Sequence, residues 1–197
     1  MKITLLIVTL MLSLSSFGKT VLFLGDSLTE GYELAKEDAY PFLVEEKLKK
    51  KHPNFKGVNG GVSGATSASG LTRLNWYFKV KPDIMVLALG ANDGLRGLDL
   101  KVTEKNISSI IEKAKEKNVQ VVLAGMLIPT NYGEEYRNKF EKLFIQISKK
   151  YKIPLIPFLL EGVAGKANLN LPDGIHPNSK GHEIMAETMI KHLEPLL

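Results

Sequence analysis

The chain has 197 residues, 44% of them hydrophobic, and this composition predicts a folded globular protein rather than a disordered one. Its net charge of +5 comes from lysines interleaved with glutamates on predicted helix faces, which argues against a nucleic-acid partner and allows only weak, transient contact with an anionic membrane surface. Cysteine is absent, which excludes disulfides and a lipid anchor at cysteine.

The first 18 residues have the pattern of a secretory signal peptide. A short basic start at residues 1–2 precedes an apolar run over residues 3–14, and residues 15–18 offer the small side chains that signal peptidase requires. An uncleaved membrane anchor is the alternative, but the run is shorter than the roughly 20 residues of a spanning helix. We therefore expect cleavage after Gly18, a periplasmic or secreted location, and a single domain over residues 19–197.

Five short apolar runs alternate with amphipathic patterns along the rest of the chain. The predicted strands cover residues 21–24, 55–58, 84–89, 119–124 and 155–158. The predicted helices cover residues 39–50, with Asp38 as the N-cap, then 107–114, 136–147 and 179–193. Strands that are apolar on both faces and alternate with helices predict an α/β protein with a parallel sheet covered on each side.

Polar and glycine motifs follow the predicted strands at the points where they end. Ser27 follows the first strand, Gly64 the second and Asn92 the third, and Asp173 and His176 lie in the long loop after the fifth. In parallel sheets ligands bind beyond the carboxyl ends of the strands. We therefore expect all five residues to converge on one rim of the sheet.

Ser27, His176 and Asp173 are the candidate nucleophile, base and orienting acid of a serine hydrolase. A serine hydroxyl needs a base within hydrogen-bond reach, and the base needs a third group to fix its tautomer. An Asp-x-x-His pair alone more often makes a local turn contact. The other histidines fit a base less well, since His182 and His192 are expected on or near the polar side of the last helix. The combination with Ser27 favours the catalytic interpretation.

An oxyanion hole can be built from the same rim. The backbone N–H groups of Ser27 and Gly64 and the side-chain amide of Asn92 are the candidate donors for a tetrahedral intermediate. Taken singly, Gly64 fits a simple tight turn and Asn92 a turn-capping side chain. Their placement at successive strand ends outweighs these simpler interpretations.

Other site types lack support in the sequence. Neither a G-x-G-x-x-G nor a P-loop pattern occurs, and residues 25–29 depart from the G-x-S-x-G elbow because position 29 is threonine. No group of His, Asp and Glu has the spacing of a metal site. We expect neither a cofactor nor a metal.

Four sequence blocks in order resemble those of the SGNH (GDSL) hydrolases. The blocks are residues 25–28, 62–66, 90–93 and 173–177, and residues 92–97 and 129–133 are similar to the bacterial periplasmic thioesterase I/lysophospholipase/arylesterase subgroup. The resemblance implies a three-layer α/β/α sandwich with a five-stranded, flavodoxin-like sheet. It also implies Ser27 as nucleophile, His176 as base and Asp173 as its partner, with Ser27, Gly64 and Asn92 forming the oxyanion hole.

These observations together predict a monomeric serine esterase. It would hydrolyse small acyl esters, thioesters or lipids through an acyl-enzyme on Ser27. The candidate residues for an acyl groove, which are equally well placed to anchor loops on the core, are Leu95, Leu98, Leu127, Ile128 and Tyr132. A carbohydrate O-acetylesterase is the alternative enzyme, and a non-catalytic envelope binding module is the alternative from another class.

Overall fold

The computed structural model describes residues 18–197, so nearly all of the predicted signal peptide lies outside the described residues. Its centre is a five-stranded parallel sheet with the strand order β2-β1-β3-β4-β5. The strands are β1 (Thr20–Gly25), β2 (Lys56–Gly61), β3 (Ile84–Ala88), β4 (Gln120–Ala124) and β5 (Leu155–Ile156). This order is flavodoxin-like, as predicted.

Helices cover both faces of the sheet. Within residues 18–197 they are α1 (Ser27–Glu30), α2 (Tyr40–Lys49), α3 (Gly70–Tyr77), α4 (Ala91–Leu95), α5 (Leu100–Glu116), α6 (Glu134–Tyr151) and α7 (Ser179–Leu193). Helix α2 packs on α7, whereas α5 packs between α3 and α6. The predicted α/β/α sandwich is confirmed. None of the helices in this part of the chain is long and apolar enough to cross a membrane.

The apolar strand runs are explained by burial on both faces. Residues 21–24 of β1 and 84–87 of β3 are at most 1% exposed, because these two neighbouring strands lie inside the sheet with helices above and below. Burial of each such side chain contributes about 1.5–3 kcal/mol. The sheet is therefore a well-packed base, and the loops that follow β1 and β3 at its carboxyl edge start from strands that are buried on both faces.

Strand β2 is longer than the sequence pattern predicts. It continues through residues 59–61, beyond the predicted end at residue 58, and Gly61 pairs with Gly25 of β1. A Cβ atom at Gly61 would overlap the backbone of Glu30 in α1. The glycine therefore lets α1 pack closely against the end of the sheet. This is a tertiary contact, which strand propensity alone cannot predict.

The predicted N-cap of α2 is wrong. The cap position belongs to Ala39, which makes no side-chain cap bond, and α2 begins with Pro41 in its first turn. Asp38 lies in a short 3₁₀ turn, and its carboxylate accepts a hydrogen bond of 3.1 Å from the hydroxyl of Ser179. Asp38 therefore links this turn to the start of α7 rather than capping α2.

The predicted position of His182 on or near the polar side of α7 is also wrong. The side chain is 1% exposed, and its Nδ1 accepts a hydrogen bond of 3.0 Å from the backbone N–H of Tyr40. Its ring stacks on the Tyr40 ring with the centroids 6.1 Å apart. Burial lowers the pKa of His182 to about 4. His182 is thus a neutral core residue that joins α7 to α2, and it remains excluded as the base.

Candidate active site

The turn from β1 into α1 presents the Ser27 side chain. Asp26 is the N-cap of α1, and its buried carboxylate accepts a hydrogen bond of 3.1 Å from the N–H of Leu28. Ser27 is therefore the first helical residue, and its own N–H has no acceptor within the helix. Because α1 ends after one turn at Gly31, in the left-handed region with φ of 85°, the serine lies on a short, tightly fixed segment.

Ser27, His176 and Asp173 form a continuous hydrogen-bonded chain. The Oγ of Ser27 lies 2.9 Å from Nε2 of His176, and Nδ1 of the same ring lies 2.6 Å from Oδ2 of Asp173. The other carboxylate oxygen of Asp173 accepts bonds of 3.0 Å from the N–H groups of Ile175 and His176. The loop after β5 thus fixes the carboxylate first, and the carboxylate in turn orients the imidazole toward the serine.

Two carboxyl groups beside the imidazole have opposite pKa shifts. Desolvation raises the pKa of Asp173, but the hydrogen bonds from His176 and Ile175 outweigh it, so the net pKa is lowered. Burial raises the pKa of Asp26 to about 6, although the Leu28 N–H and the charges of His176 and Arg73 oppose the rise. Asp173 is therefore the carboxylate that stays ionised next to the ring, as an orienting group requires.

The second and third sequence blocks meet next to the serine. One N–H of the Asn92 amide donates to the carbonyl of Ala65 at 3.1 Å, and Nη2 of Arg96 donates to the carbonyl of Gly64 at 3.0 Å. Gly64 has φ of 74°, which favours glycine, and its N–H has no acceptor among residues 18–197. These bonds tie the Gly64 loop to α4 and leave its N–H and the second Asn92 N–H as potential donors.

Asp93 is a part of this region that the sequence analysis missed. The side chain is 2% exposed, and its two oxygens accept bonds from the N–H of Ser67 at 2.8 Å and from the hydroxyl of Ser67 at 2.5 Å. Thr103 of α5 donates to the same carboxylate at 3.2 Å. Asp93 thereby joins α4, α5 and the loop after β2. The sequence signal that could have indicated a role for Asp93 is its position directly after Asn92, a candidate site residue.

An apolar cleft of about 530 Å³ opens beside the serine. Ser27, Asn92 and His176 belong to its lining, whereas Gly64 does not. Most of the remaining lining is hydrophobic and comes from α1, α4 and the loops after β4 and β5, including Leu28, Leu95, Met126, Leu127, Ile128, Pro129, Phe158, Leu160 and Ile175. A cleft of this size and character is suited to an acyl chain.

The five candidate groove residues divide between lining and anchoring. Leu95, Leu127 and Ile128 line the cleft, but Leu98 and Tyr132 are outside it. The Tyr132 hydroxyl donates to the carbonyl of Leu95 at 2.7 Å, so this residue anchors a loop. Leu98 is 41% exposed, and its carbonyl accepts a bond from a tyrosine of α6. The loop-anchor interpretation therefore fits Tyr132, whereas the exposed Leu98 side chain neither lines the cleft nor packs on the core.

Tyr32 is a second site residue that the sequence analysis missed. Its ring lies 4.4 Å from the ring of His176, measured between centroids, with an interplanar angle of 34°. The residue follows the end of α1 and is 37% exposed. Tyr32 covers one face of the imidazole. No local pattern signals this contact, because it joins two distant parts of the chain.

The part of the chain that the structure describes contains no group of three or more His, Asp or Glu side chains that could hold a metal ion.

Comparisons with known proteins agree with this fold and identify the family. Residues 23–184 match the family model of the GDSL-like lipase/acylhydrolases, and the chain belongs to that family of hydrolases acting on esters. It is 37% identical to thioesterase 1/protease 1/lysophospholipase L1 of Escherichia coli strain K12, over 90% of this chain and 85% of that protein. It is 34% identical to an arylesterase of Vibrio mimicus, over 91% of this chain and 92% of the relative.

A solved structure shows the same fold. The crystal structure of TesA superimposes with a TM-score of 0.87 and 34% identity, covering 91% of this chain and all of that one. The predicted family and fold are therefore confirmed, and so is the prediction of an ester hydrolase.

Proposed function

We propose that Ser27 is the nucleophile of a serine esterase, with His176 as the general base and Asp173 as its orienting acid. The Ser27 Oγ attacks the ester carbonyl while Nε2 of His176 takes its proton. The tetrahedral intermediate collapses to an acyl-enzyme, and His176 passes the proton to the departing alcohol or thiol. His176 then deprotonates water, which attacks the acyl-enzyme and releases the acid.

The proposed oxyanion hole uses the N–H groups of Ser27 and Gly64 and the second N–H of the Asn92 amide. Developing negative charge is stabilised by donors already aimed at its position, and each such donor lowers the activation barrier by about 2.7–4 kcal/mol. The bonds from Asn92 to Ala65 and from Arg96 to Gly64 support this role, because they fix both donors before substrate arrives.

The observation that carries the proposal is the unbroken bond chain through His176, at 2.9 Å on the serine side and 2.6 Å on the aspartate side. A capping or turn contact between Asp173 and His176 would not require the far nitrogen of the ring to meet a serine hydroxyl. The complete set of nucleophile, base, acid and donors argues against a non-catalytic binding module.

The proposed substrates are small acyl esters, thioesters or lipids whose acyl chain occupies the apolar cleft. The cleft volume of about 530 Å³ and its hydrophobic lining support this class, and relatives named thioesterase, lysophospholipase and arylesterase agree with it. A carbohydrate O-acetylesterase would need far less apolar space for an acetyl group, so the cleft disfavours that alternative.

The proposed setting is the periplasm or the exterior of the cell, with the protein acting as a monomer. The signal-peptide pattern of residues 1–18 supports export. The net charge of +5 supports transient contact with an anionic membrane surface during attack on a lipid substrate.

A kinetic comparison of wild type with Ser27→Ala tests the proposal. With aryl esters of graded acyl length, we expect the variant to lose roughly four to six orders of magnitude in kcat, because no other group replaces the nucleophile. Circular dichroism and thermal unfolding should stay close to wild type, since the hydroxyl is small and lies at the rim. Hydrolysis by Ser27→Ala within tenfold of wild type would refute the assignment.

A further inference from the structure

A second cleft, of about 760 Å³, begins at Tyr32. It lies between the edge strand β2 and the segment that runs from α1 into α2. No residue lines both this cleft and the apolar cleft beside Ser27. Tyr32 and Phe42 give it two aromatic walls, and both side chains are more than one third exposed. It is therefore a separate, open site next to the catalytic imidazole.

The direction of proton transfer indicates which part of the substrate lies near this cleft. The base that deprotonates the serine also protonates the leaving oxygen, so the leaving group must lie on the imidazole side of the reacting carbon. Tyr32 packs on that imidazole at 4.4 Å. Ser27 and His176 themselves line the apolar cleft, which the acyl chain occupies, and Tyr32 is the link to the second cleft. A leaving alcohol that extends past the His176 ring on its Tyr32 side therefore reaches the second cleft.

The charges that face the second cleft are mainly negative. Glu30, Glu33 and Glu45 line it, against one cation, Lys36. Glu45 also pairs at 2.9 Å with Lys49, a residue of α2 outside the lining. The cleft therefore carries an excess of carboxylate even though the whole chain has a net charge of +5.

One of these carboxylates is held in place by hydrogen bonds, and another lies beside an aromatic wall. Glu30 accepts hydrogen bonds from the N–H of Ser63, at 2.6 Å, and from the Ser63 hydroxyl. Glu33 follows Tyr32 directly in the chain and lines the same cleft, and its carboxylate raises the pKa of the Tyr32 hydroxyl. Aromatic faces with carboxylates beside them are the surroundings that bind ammonium groups.

We infer that the second cleft is the leaving-group subsite of this esterase and that it takes an alcohol bearing an ammonium group. The inference rests on the proposed function and specifies its substrate: an acyl ester whose alcohol is cationic.

Two esters that differ only in that charge test the inference. Butyrylcholine and 3,3-dimethylbutyl butyrate have the same acyl chain and nearly the same shape, but only the first has a quaternary ammonium. We expect wild type to have a kcat/KM ratio of roughly three to ten in favour of the cationic ester, since partly exposed charges and aromatic faces each contribute modestly. Raising NaCl to 0.5 M, roughly a Debye length of 4 Å, should lower that ratio.

Variants identify the groups responsible. The double variant Glu33→Gln/Glu45→Gln should bring the ratio close to one, and the single variant Glu33→Gln should give an intermediate value. Glu135→Gln is the matched control, since it removes one exposed carboxylate of α6 outside both clefts, and it should keep the wild-type ratio. Because each ratio compares two substrates on one preparation, a partly unfolded sample does not alter it.

The outcomes separate the inference from the function on which it rests. A wild-type ratio near one, or a ratio that Glu33→Gln and the double variant leave unchanged, would overturn the ammonium subsite while the esterase stands. If wild type hydrolysed neither these two esters nor any aryl ester of the acyl series faster than Ser27→Ala, the esterase proposal itself would fail.

Discussion

At the scale of single residues, the site depends on one side chain whose two ends must be bonded at once. His176 meets Ser27, 149 positions earlier in the chain, at 2.9 Å and meets Asp173 at 2.6 Å. Asp173 is itself fixed by two backbone N–H groups of its own turn. The local turn thus sets the orientation of the ring, and the tertiary fold places this Asp–His pair next to the serine.

Asp173→Asn should therefore damage catalysis far more than folding. The amide cannot stabilise the imidazolium that forms in the reaction, and it favours the wrong tautomer when its NH₂ group faces Nδ1, so we expect kcat to fall by roughly 10²–10⁴ with little change in KM. Steady-state kinetics on an aryl ester would measure this. The matched control is Asp83→Asn, whose carboxylate bonds the N–H of Thr20 away from both clefts. Equal losses in both variants would contradict the orienting role.

The residues of this site differ in how well sequence could predict them. Ser27, Asn92 and His176 were predictable because each follows a strand, and the carboxyl ends of parallel strands share one rim. Tyr32 and Asp93 were not, since their contacts depend on how α1 and α4 are oriented after folding. For Leu98 and Tyr132 the sequence could not decide between lining the acyl groove and anchoring a loop, because hydrophobicity alone does not say which way a loop side chain points.

At the scale of elements, two buried ionisable groups connect neighbouring elements of the fold. His182 joins α7 to α2 through the Tyr40 N–H, a bond that requires an unprotonated Nδ1. Asp26 caps α1 at the end of β1. The pKa of His182 falls from 6.5 to about 4 and that of Asp26 rises from 3.8 to about 6. Their effects on stability therefore have opposite signs between about pH 4 and pH 6.

The sign follows from which state binds more protons. The unfolded chain protonates His182 first, so the stability from this group is present above pH 6.5 and is lost as pH falls toward 4. The folded chain protonates Asp26 first, so the stability from that group is present below pH 3.8 and is lost as pH rises toward 6. Each shift corresponds to on the order of 3 kcal/mol.

Substitution of His182 or Asp26 should reveal the contribution of each residue to the pH dependence of stability. His182→Asn, with an amide oxygen as acceptor, should lose less stability than wild type between about pH 7 and pH 4.5, whereas Asp26→Asn should lose more. Urea unfolding at both pH values would give the free energies. The account of these two groups would be wrong if both variants kept the wild-type pH dependence.

At the scale of the whole molecule, the sequence predicted the architecture better than its details. Apolar strands such as residues 84–88 must be buried on both faces, and that requirement alone implies a parallel sheet between helix layers. The continuation of β2 to Gly61 and the short helix α3 were missed. Gly61 lies in a strand because a neighbouring helix needs the space, and α3 buries only Gly70 and Leu74, too few residues for a periodic pattern.

Export is a property of the whole chain that can be measured directly. If residues 1–18 form a signal peptide, expression of the full sequence in a Gram-negative host should yield a periplasmic or secreted protein that begins at Lys19. N-terminal sequencing of the purified product checks this. Replacing one residue in the middle of the apolar run, Val8→Arg, should keep the protein inside the cell, because the charge interrupts the segment. An exported protein that still begins at Met1 would contradict cleavage.

The central claim is that Ser27 is a nucleophile activated by His176, and covalent labelling tests it most directly. A serine-directed phosphonate should add once to wild type, and peptide mass spectrometry should find the added mass on the peptide that contains Ser27. Ser27→Ala should remain unlabelled under the same conditions. Labelling of Ser27→Ala at the wild-type rate, or an adduct on Ser63 in wild type, would contradict the account.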